Sequence, residues 1–281
     1  MSLPSFIGVT KKQDDLLAKG FPFGNAFALA FYHKSNRVDF TAKTALAHAA
    51  AAPTTKLQFA YKLKDLVLKE SITEATQYKL TAEYIPPKQT DVTLSGELTW
   101  GVSGAHCSLS VQQVLAQARY KLTVAESLLT TLAVVAGKPE KGVGFNVAVD
   151  KALQLKTYNA VGFLRFGEVD LALKHESKAE GAVQLGNVVF SMHQQLKKRI
   201  AIAAKATYDH ANKDKPLTAQ AAVKMNISSR RSVAVKAQCC GTLALSYRWK
   251  LSPEVTVLTG MQATPQRLQD AQFGFKLKVN S

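Results

Sequence analysis

Cysteine is scarce in this chain: Cys107, Cys239 and Cys240 are the only three in 281 residues, and no spacing among them suits a metal. Successive residues of a strand point to opposite faces, so adjacent Cys239 and Cys240 are expected to stay unbridged. All three are read as free thiols of a protein made in a reducing compartment. Long apolar runs are also missing. Nothing approaches the ~18 consecutive apolar residues of a transmembrane helix. The nearest stretch, residues 45–52, is short, built of alanine and interrupted by His48. Residues 1–10 lack the basic-then-apolar plan of a secretory signal and are poor in arginine, so neither a signal peptide nor a mitochondrial presequence is expected there. Acid is in short supply as well. Asp plus Glu total 20 against 36 Lys plus Arg, a formal charge of +16. Such an excess calls for an anionic partner: nucleic acid, acidic lipid or phosphorylated metabolites.

Constellations that carry chemistry are wanting. The six histidines, His33, His48, His106, His175, His193 and His210, stand at no metal spacing with Cys or a carboxylate and are read as surface or lumen residues. Gly142-Val143-Gly144 lacks the remaining glycine and the strand-to-helix setting of a phosphate loop. No Gly-x-Ser-x-Gly elbow occurs, and Cys107 beside His106 is adjacency without a triad. No catalytic site, metal or cofactor is expected, and the chain reads as something other than an enzyme.

What is present is alternation. Leu243, Leu245, Tyr247, Trp249 and Leu251 interleave with Thr242, Ala244, Ser246, Arg248 and Lys250. Phe273, Phe275, Leu277 and Val279 interleave with Gly274, Lys276 and Lys278, and Leu57, Phe59, Tyr61 and Leu63 with Gln58, Ala60, Lys62 and Lys64. Period two places each set on its own face of a sheet. Turn signals divide the segments at residues 137–139, 212–216, 252–254 and 263–265. Residues 41–53, rich in alanine, fit either a helix or a strand pair with small residues. A soluble sandwich would alternate too, but these segments run to about ten residues, the length that crosses a bilayer, rather than the five or six common in soluble sheets. Residues 21–281 divide into roughly sixteen to twenty such strands. Hydrocarbon tolerates a sheet only when it closes, because every backbone group must find its partner within the protein. The expected fold is all-β, a transmembrane antiparallel barrel.

In a water-filled barrel the polar parity faces the lumen. Lys224 shares its parity with Gln220, Ala222 and Asn226; Lys236 shares its own with Ser232, Ala234 and Gln238; Lys62, Arg248, Lys250, Lys276 and Lys278 behave alike. These cations are the expected pore lining, concentrating anions by their field. The solvated face of a soluble sheet would look the same for any one lysine; the near absence of charge from the other parity favours the barrel. Glu70 is the exception, in step with Leu66, Leu68 and Ile72, and a register shift near Lys64 and Asp65 is the favoured explanation. Tyr247 and Trp249 suit an interfacial belt.

Both ends of the chain resemble the voltage-dependent anion channels of the eukaryotic porin family. Residues 11–24, KKQDDLLAKGFPFG, are similar to the family's N-terminal stretch; residues 224–260 are similar to its C-terminal region through Lys224, Lys236, the LALSY run at 243–247 and Leu251-Ser252-Pro253. Gln272, Gly274, Leu277 and Val279 occupy the four defined positions of the mitochondrial β-signal for membrane insertion. Pro22 stands where the family usually has glycine, and Met225 and Ser228 where it usually has tyrosine and aspartate; the family's lipid-facing glutamate would align with Ile72, two residues from Glu70.

The resemblance implies about nineteen strands, the first and last parallel. Residues 1–20 are then a helical segment folded into the pore and residues 21–281 the barrel. Lys11, Lys12 and Lys19 would stand in the lumen, with Gly20 and Gly24 as a hinge. Ser5 as N-cap, Leu16 and Leu17 as an apolar face, and Gly20 as a terminator support that helix. The implied function is a voltage-gated, weakly anion-selective channel of the mitochondrial outer membrane. Its partners would be membrane lipids, transported nucleotides such as ATP and ADP, phosphate and other small anions, and copies of itself, with no nucleic acid. Two alternatives stand. A protein-import channel of the same membrane would carry a longer N-terminal extension and acidic lumen patches. A soluble basic module for nucleic acid would interleave aromatics with arginine on one face.

Overall fold

The computed structural model describes residues 3–19, 21–22, 26–46, 53–73, 77–87, 91–101, 104–180, 182–197, 199–212, 214 and 216–281. The strands are β1 (Phe27–Lys34), β2 (Val38–Leu46), β3 (Thr54–Leu63), β4 (Leu66–Thr73), β5 (Tyr78–Tyr84), β6 (Val92–Gly101), β7 (Gly104–Val114), β8 (Ala118–Ala125), β9 (Thr130–Lys138) and β10 (Lys141–Val149). They continue as β11 (Leu155–Phe166), β12 (Val169–Glu180), β13 (Ala182–Leu196), β14 (Ile200–Asp209), β15 (Leu217–Asn226), β16 (Arg231–Gln238), β17 (Leu243–Lys250), β18 (Val255–Thr264) and β19 (Arg267–Asn280). Each pairs with its sequence neighbour antiparallel, and β1 returns to pair with β19, so one 19-stranded sheet closes on itself. The closing pair must be parallel, since an odd number of up-and-down strands brings the last round in the direction of the first. It is: Phe27 faces Phe275 and Tyr32 faces Asn280. The seam is secured by the Phe275 amide donating to the Ala26 carbonyl at 3.1 Å and the Ser281 amide to that of Tyr32 at 2.8 Å.

The expected turn at residues 252–254 falls between strands, as do the described residues of 212–216; of 137–139 and 263–265 only Pro139 and Pro265 do, since β9 runs to Lys138 and β18 to Thr264. Residues 41–46 belong to β2, which decides for a strand in the part of the alanine-rich stretch that is described. Cys239 and Cys240 occupy the turn after β16 rather than a strand, because the pairing of β16 ends at Gln238. They and Cys107 are exposed, and none of the three is in a disulfide. Among the described residues no helix is long and apolar enough to cross a membrane.

The outward parity carries large apolar side chains with a water-exposed surface, among them Leu109, Phe145, Phe190, Leu245 and Phe273. A soluble sheet would bury such a face, and a bilayer covers it. Glu70 lies on this parity. Its neighbours across the ladder are Phe59 and Leu80, and neither pairing of β4 contains a bulge. The expected register shift is therefore absent: the short turn at Lys64 and Asp65 keeps strict alternation, and Glu70 points outward with Leu68 and Ile72.

The lumen as candidate functional site

The chain before β1 turns back into the barrel. A 3-10 turn at Ile7–Thr10, the helix α1 at Lys11–Asp14 and a π-helical turn at Asp15–Lys19 form one short helical segment. The Ser5 hydroxyl accepts the Gly8 amide at 3.1 Å at the start of the first turn, beside the Ser5 carbonyl, which accepts the same amide at 2.8 Å. Two apolar contacts dock the segment on the inner wall. Leu3 and Phe6 bury themselves against Val135 of β9, Val161 of β11 and Ala172 of β12. Leu17 does so against Ala203 of β14 and Ala222 of β15, with Leu16 and Phe21 packed alongside. The wall residues beneath it are small or branched, and Gly144 of β10 has no side chain for a reason of space. A β-carbon there would stand 3.1 Å from the Phe6 ring and 3.0 Å from Val135. Full burial of a leucine such as Leu17 is worth about 1.5–3 kcal/mol, enough to hold a segment too short to be stable alone.

Polar contacts set its register. Lys12 donates to Asp170 of β12 at 2.6 Å, and Asp170 also receives Arg165 of β11. Lys205 of β14 reaches Asp14 at 3.1 Å. Lys236 of β16 donates to the Leu17 carbonyl at 3.3 Å and lies over the Phe21 ring. Arg119 of β8 donates to the Leu3 carbonyl at 3.3 Å. Gln13, which carries no signal in the sequence, is 1% exposed between helix and wall. Lys11 is exposed. The hinge expected at Gly20 and Gly24 falls outside the described residues, as does the side chain of Lys19.

The ladder registers put Lys62, Lys224, Lys236, Arg248, Lys250, Lys276 and Lys278 on one continuous inner parity. Lys34 of β1, Lys43 of β2 and Lys56 of β3 join them. Around this ring the charge is unevenly neutralised. On β2 to β6 cations meet acids: Lys62 with Asp39 at 2.8 Å, Lys69 with Glu83 at 2.6 Å and Lys79 with Glu97 at 2.5 Å. From β15 through β19 no described carboxylate pairs with Lys224, Arg248, Lys250, Lys276 or Lys278. Lys224, Arg248, Lys276 and Lys278 line, with Lys12, Asp15 and Tyr32, a section of lumen of about 620 Å³ beside the docked helix. The helix occupies one side of the channel and leaves the uncompensated cations facing the free side.

Of the four insertion-signal positions, Gln272 and Gly274 face inward and Leu277 and Val279 outward. Gly274 has a further reason to be glycine: any β-carbon on it would collide with the Pro22 carbonyl, where the chain crosses β19 on its way into the barrel. At the outer rim Arg231 stacks over Trp249 at 5.4 Å, as an interfacial aromatic does. His106 and His193 face the lumen, while His33 and His175 lie on the outward parity. Among the described residues no group of three His, Cys, Asp or Glu side chains could hold a metal ion. The sequence model of the eukaryotic porin family matches residues 3–274. No curated protein matches the chain.

Proposed function

The chain belongs to the eukaryotic porin family and forms a pore, and from that premise we propose that it is a voltage-gated, weakly anion-selective channel of the mitochondrial outer membrane. Its cargo is small ions and anionic metabolites: ATP, ADP, phosphate and their like. The observation that carries the reading is the run of inward cations from β15 to β19 with no acid paired to Lys224, Arg248, Lys250, Lys276 or Lys278, beside a docked helix that itself carries Lys11 and Lys12. Selectivity is modest, because a wide pore leaves ions hydrated and their field is screened over about 8 Å at physiological salt.

The test is conductance of the refolded protein in a planar bilayer under a salt gradient and a voltage ramp. The expected result is a large conductance that falls at high voltage of either sign, with a reversal potential favouring chloride. Reversing the charge at Lys224, Lys236 and Lys276 together should weaken that preference or invert it. A cation-preferring pore blocked by basic peptides would overturn the reading in favour of a protein-import channel.

A further inference from the structure

One mouth of the barrel holds a concentration of positive charge that conduction alone does not require. The β13–β14 turn brings Arg199, the β15–β16 turn brings Arg230, and the adjoining strand ends bring Lys224, Arg248 and Lys250. Together they line a cavity of about 390 Å³. Asn226, Ile227, Ser228, Ser229, Arg231 and Ser232 complete the lining, and no carboxylate does. The volume falls in the range of about 300–1,000 Å³ that small-molecule sites occupy.

The arrangement is braced. The Asn226 amide donates to the Arg199 carbonyl at 2.7 Å and the Lys250 amide to the Arg230 carbonyl at 2.8 Å, so each arginine is tied to a neighbouring strand end through its backbone. The Ser228 hydroxyl accepts the amides of Arg230 and Arg231 at 3.2 and 3.1 Å, which fixes the tip of the β15–β16 turn. Both arginines of that turn border the cavity, and Arg231 also lies over Trp249 on the outward parity. Between the inward cations the wall is kept small, with Ser232 opposite Arg248 and Ala234 opposite Lys224. Lys224 lies close enough to Arg248 and Lys250 to feel both charges. Like charges held together without an acid repel one another, and the cluster is at ease only with a multiply charged anion in place.

We infer that this vestibule is a binding site for an oligophosphate group, of the kind a nucleoside triphosphate carries. The guanidinium groups of Arg199 and Arg230 supply forked donors suited to phosphate oxygens, and the lysines act as point charges behind them. Serine hydroxyls and the Asn226 amide add neutral donors. The site lies at the rim and is open to dissolved solute, while Arg231, which borders it, also lies over Trp249 on the outward face. This deepens the channel reading, on which it rests: the pore would hold its polyanionic cargo briefly at this mouth and pass monovalent anions without pause.

The probe is inorganic tripolyphosphate, titrated calorimetrically into the refolded protein in zwitterionic detergent, so that binding is read whether or not the protein conducts. Arg199→Gln with Arg230→Gln should weaken binding roughly tenfold or more, the loss of two charge-assisted contacts. Arg37→Gln, which removes a charge from the β1–β2 turn of the same mouth, should leave binding within about twofold, the size of a surface-charge effect. Equal losses in the two variants would overturn the proposal, because the attraction would then be diffuse. Tripolyphosphate binding that is kept in nanodiscs of zwitterionic lipid and disappears in nanodiscs containing anionic lipid would assign the phosphate chemistry to headgroups and overturn the free-solute site. Binding by a protein that passes no current would keep this site and refute the channel; a conducting protein that binds no tripolyphosphate would do the reverse.

Discussion

Lys12 and Asp170 meet at 2.6 Å across 158 positions of sequence, joining the helical segment to the inner wall at β12. Asp170 is the focus of this part of the lumen: Arg165 donates to it, His193 stands 3.7 Å away, and its backbone carbonyl accepts Gln13 at 3.5 Å. Asp170→Asn should therefore loosen the segment while leaving the barrel intact. A charge-assisted contact of this kind contributes about 1–3 kcal/mol, reduced here because Lys12 is largely exposed. A nitroxide at position 7, on a background without cysteine, should give a broader distance distribution to a wall label in the variant than in the parent. An unchanged distribution would mean that the apolar contacts of Phe6 and Leu17 hold the segment unaided.

Pro22 and Gly274 make the second prediction. With a β-carbon on Gly274 the crossing chain has no room, so Gly274→Ala should displace residues around Pro22 from β19. Hydrogen exchange should rise in the N-terminal segment more than in the β18–β19 ladder. A rise confined to that ladder would mean that the glycine serves only the strand.

Glu70 is a carboxylate in the middle of β4 on the lipid-facing parity. Such a charge is costly in hydrocarbon, less for an acid than for a base. Glu70→Leu should raise stability on the order of 1–2 kcal/mol in urea unfolding from lipid vesicles. A loss of stability would place the carboxylate in a favourable contact.

Ionic strength should act on selectivity. The uncompensated cations of β15–β19 work through a field whose reach falls from about 10 Å at 0.1 M salt to about 3 Å at 1 M. The chloride preference, measured as reversal potential at a fixed concentration ratio, should decline steeply over that range. A preference independent of salt would point to direct coordination of the ion.

Asp150 lies outside the membrane-spanning strands, in the turn between β10 and β11. The Lys156 ammonium and the amides of Gln154 and Ala152 donate to its carboxylate and hold it below the usual aspartate range. A lowered folded-state value means that this turn gains stability above the ordinary carboxylate range and loses it as the pH falls through the depressed value. Exchange protection of the Ala152 and Gln154 amides should thus persist in mild acid and fail only in stronger acid. In Asp150→Asn it should not vary with pH beyond the intrinsic exchange rate.

Alternation is a local property, and from it the strands, their two faces, the four turns read from proline and glycine, and the inward parity of Lys224, Lys236, Arg248 and Lys276 were all legible. The period of two needs only neighbouring residues, and lipid on one side with water on the other enforces it along the whole chain. Ser5 and the Leu16–Leu17 pair were legible for the same reason, as signals of a single turn of helix. What tertiary structure alone decided is everything that depends on distant segments meeting. Glu70 faces outward because the β3–β4 and β4–β5 registers run without a bulge, and Cys239 and Cys240 sit in a turn because β16 stops pairing at Gln238. Asp170 becomes an anchor, and Gly144 and Gly274 become spaces, only because the N-terminal chain folds back across the barrel. Arg199 and Arg230 reach one cavity although 31 positions separate them, since closing a sheet brings alternate turns to the same rim. No short-range pattern encodes such meetings; they are set by ladder register and by the volume that each side chain leaves or fills.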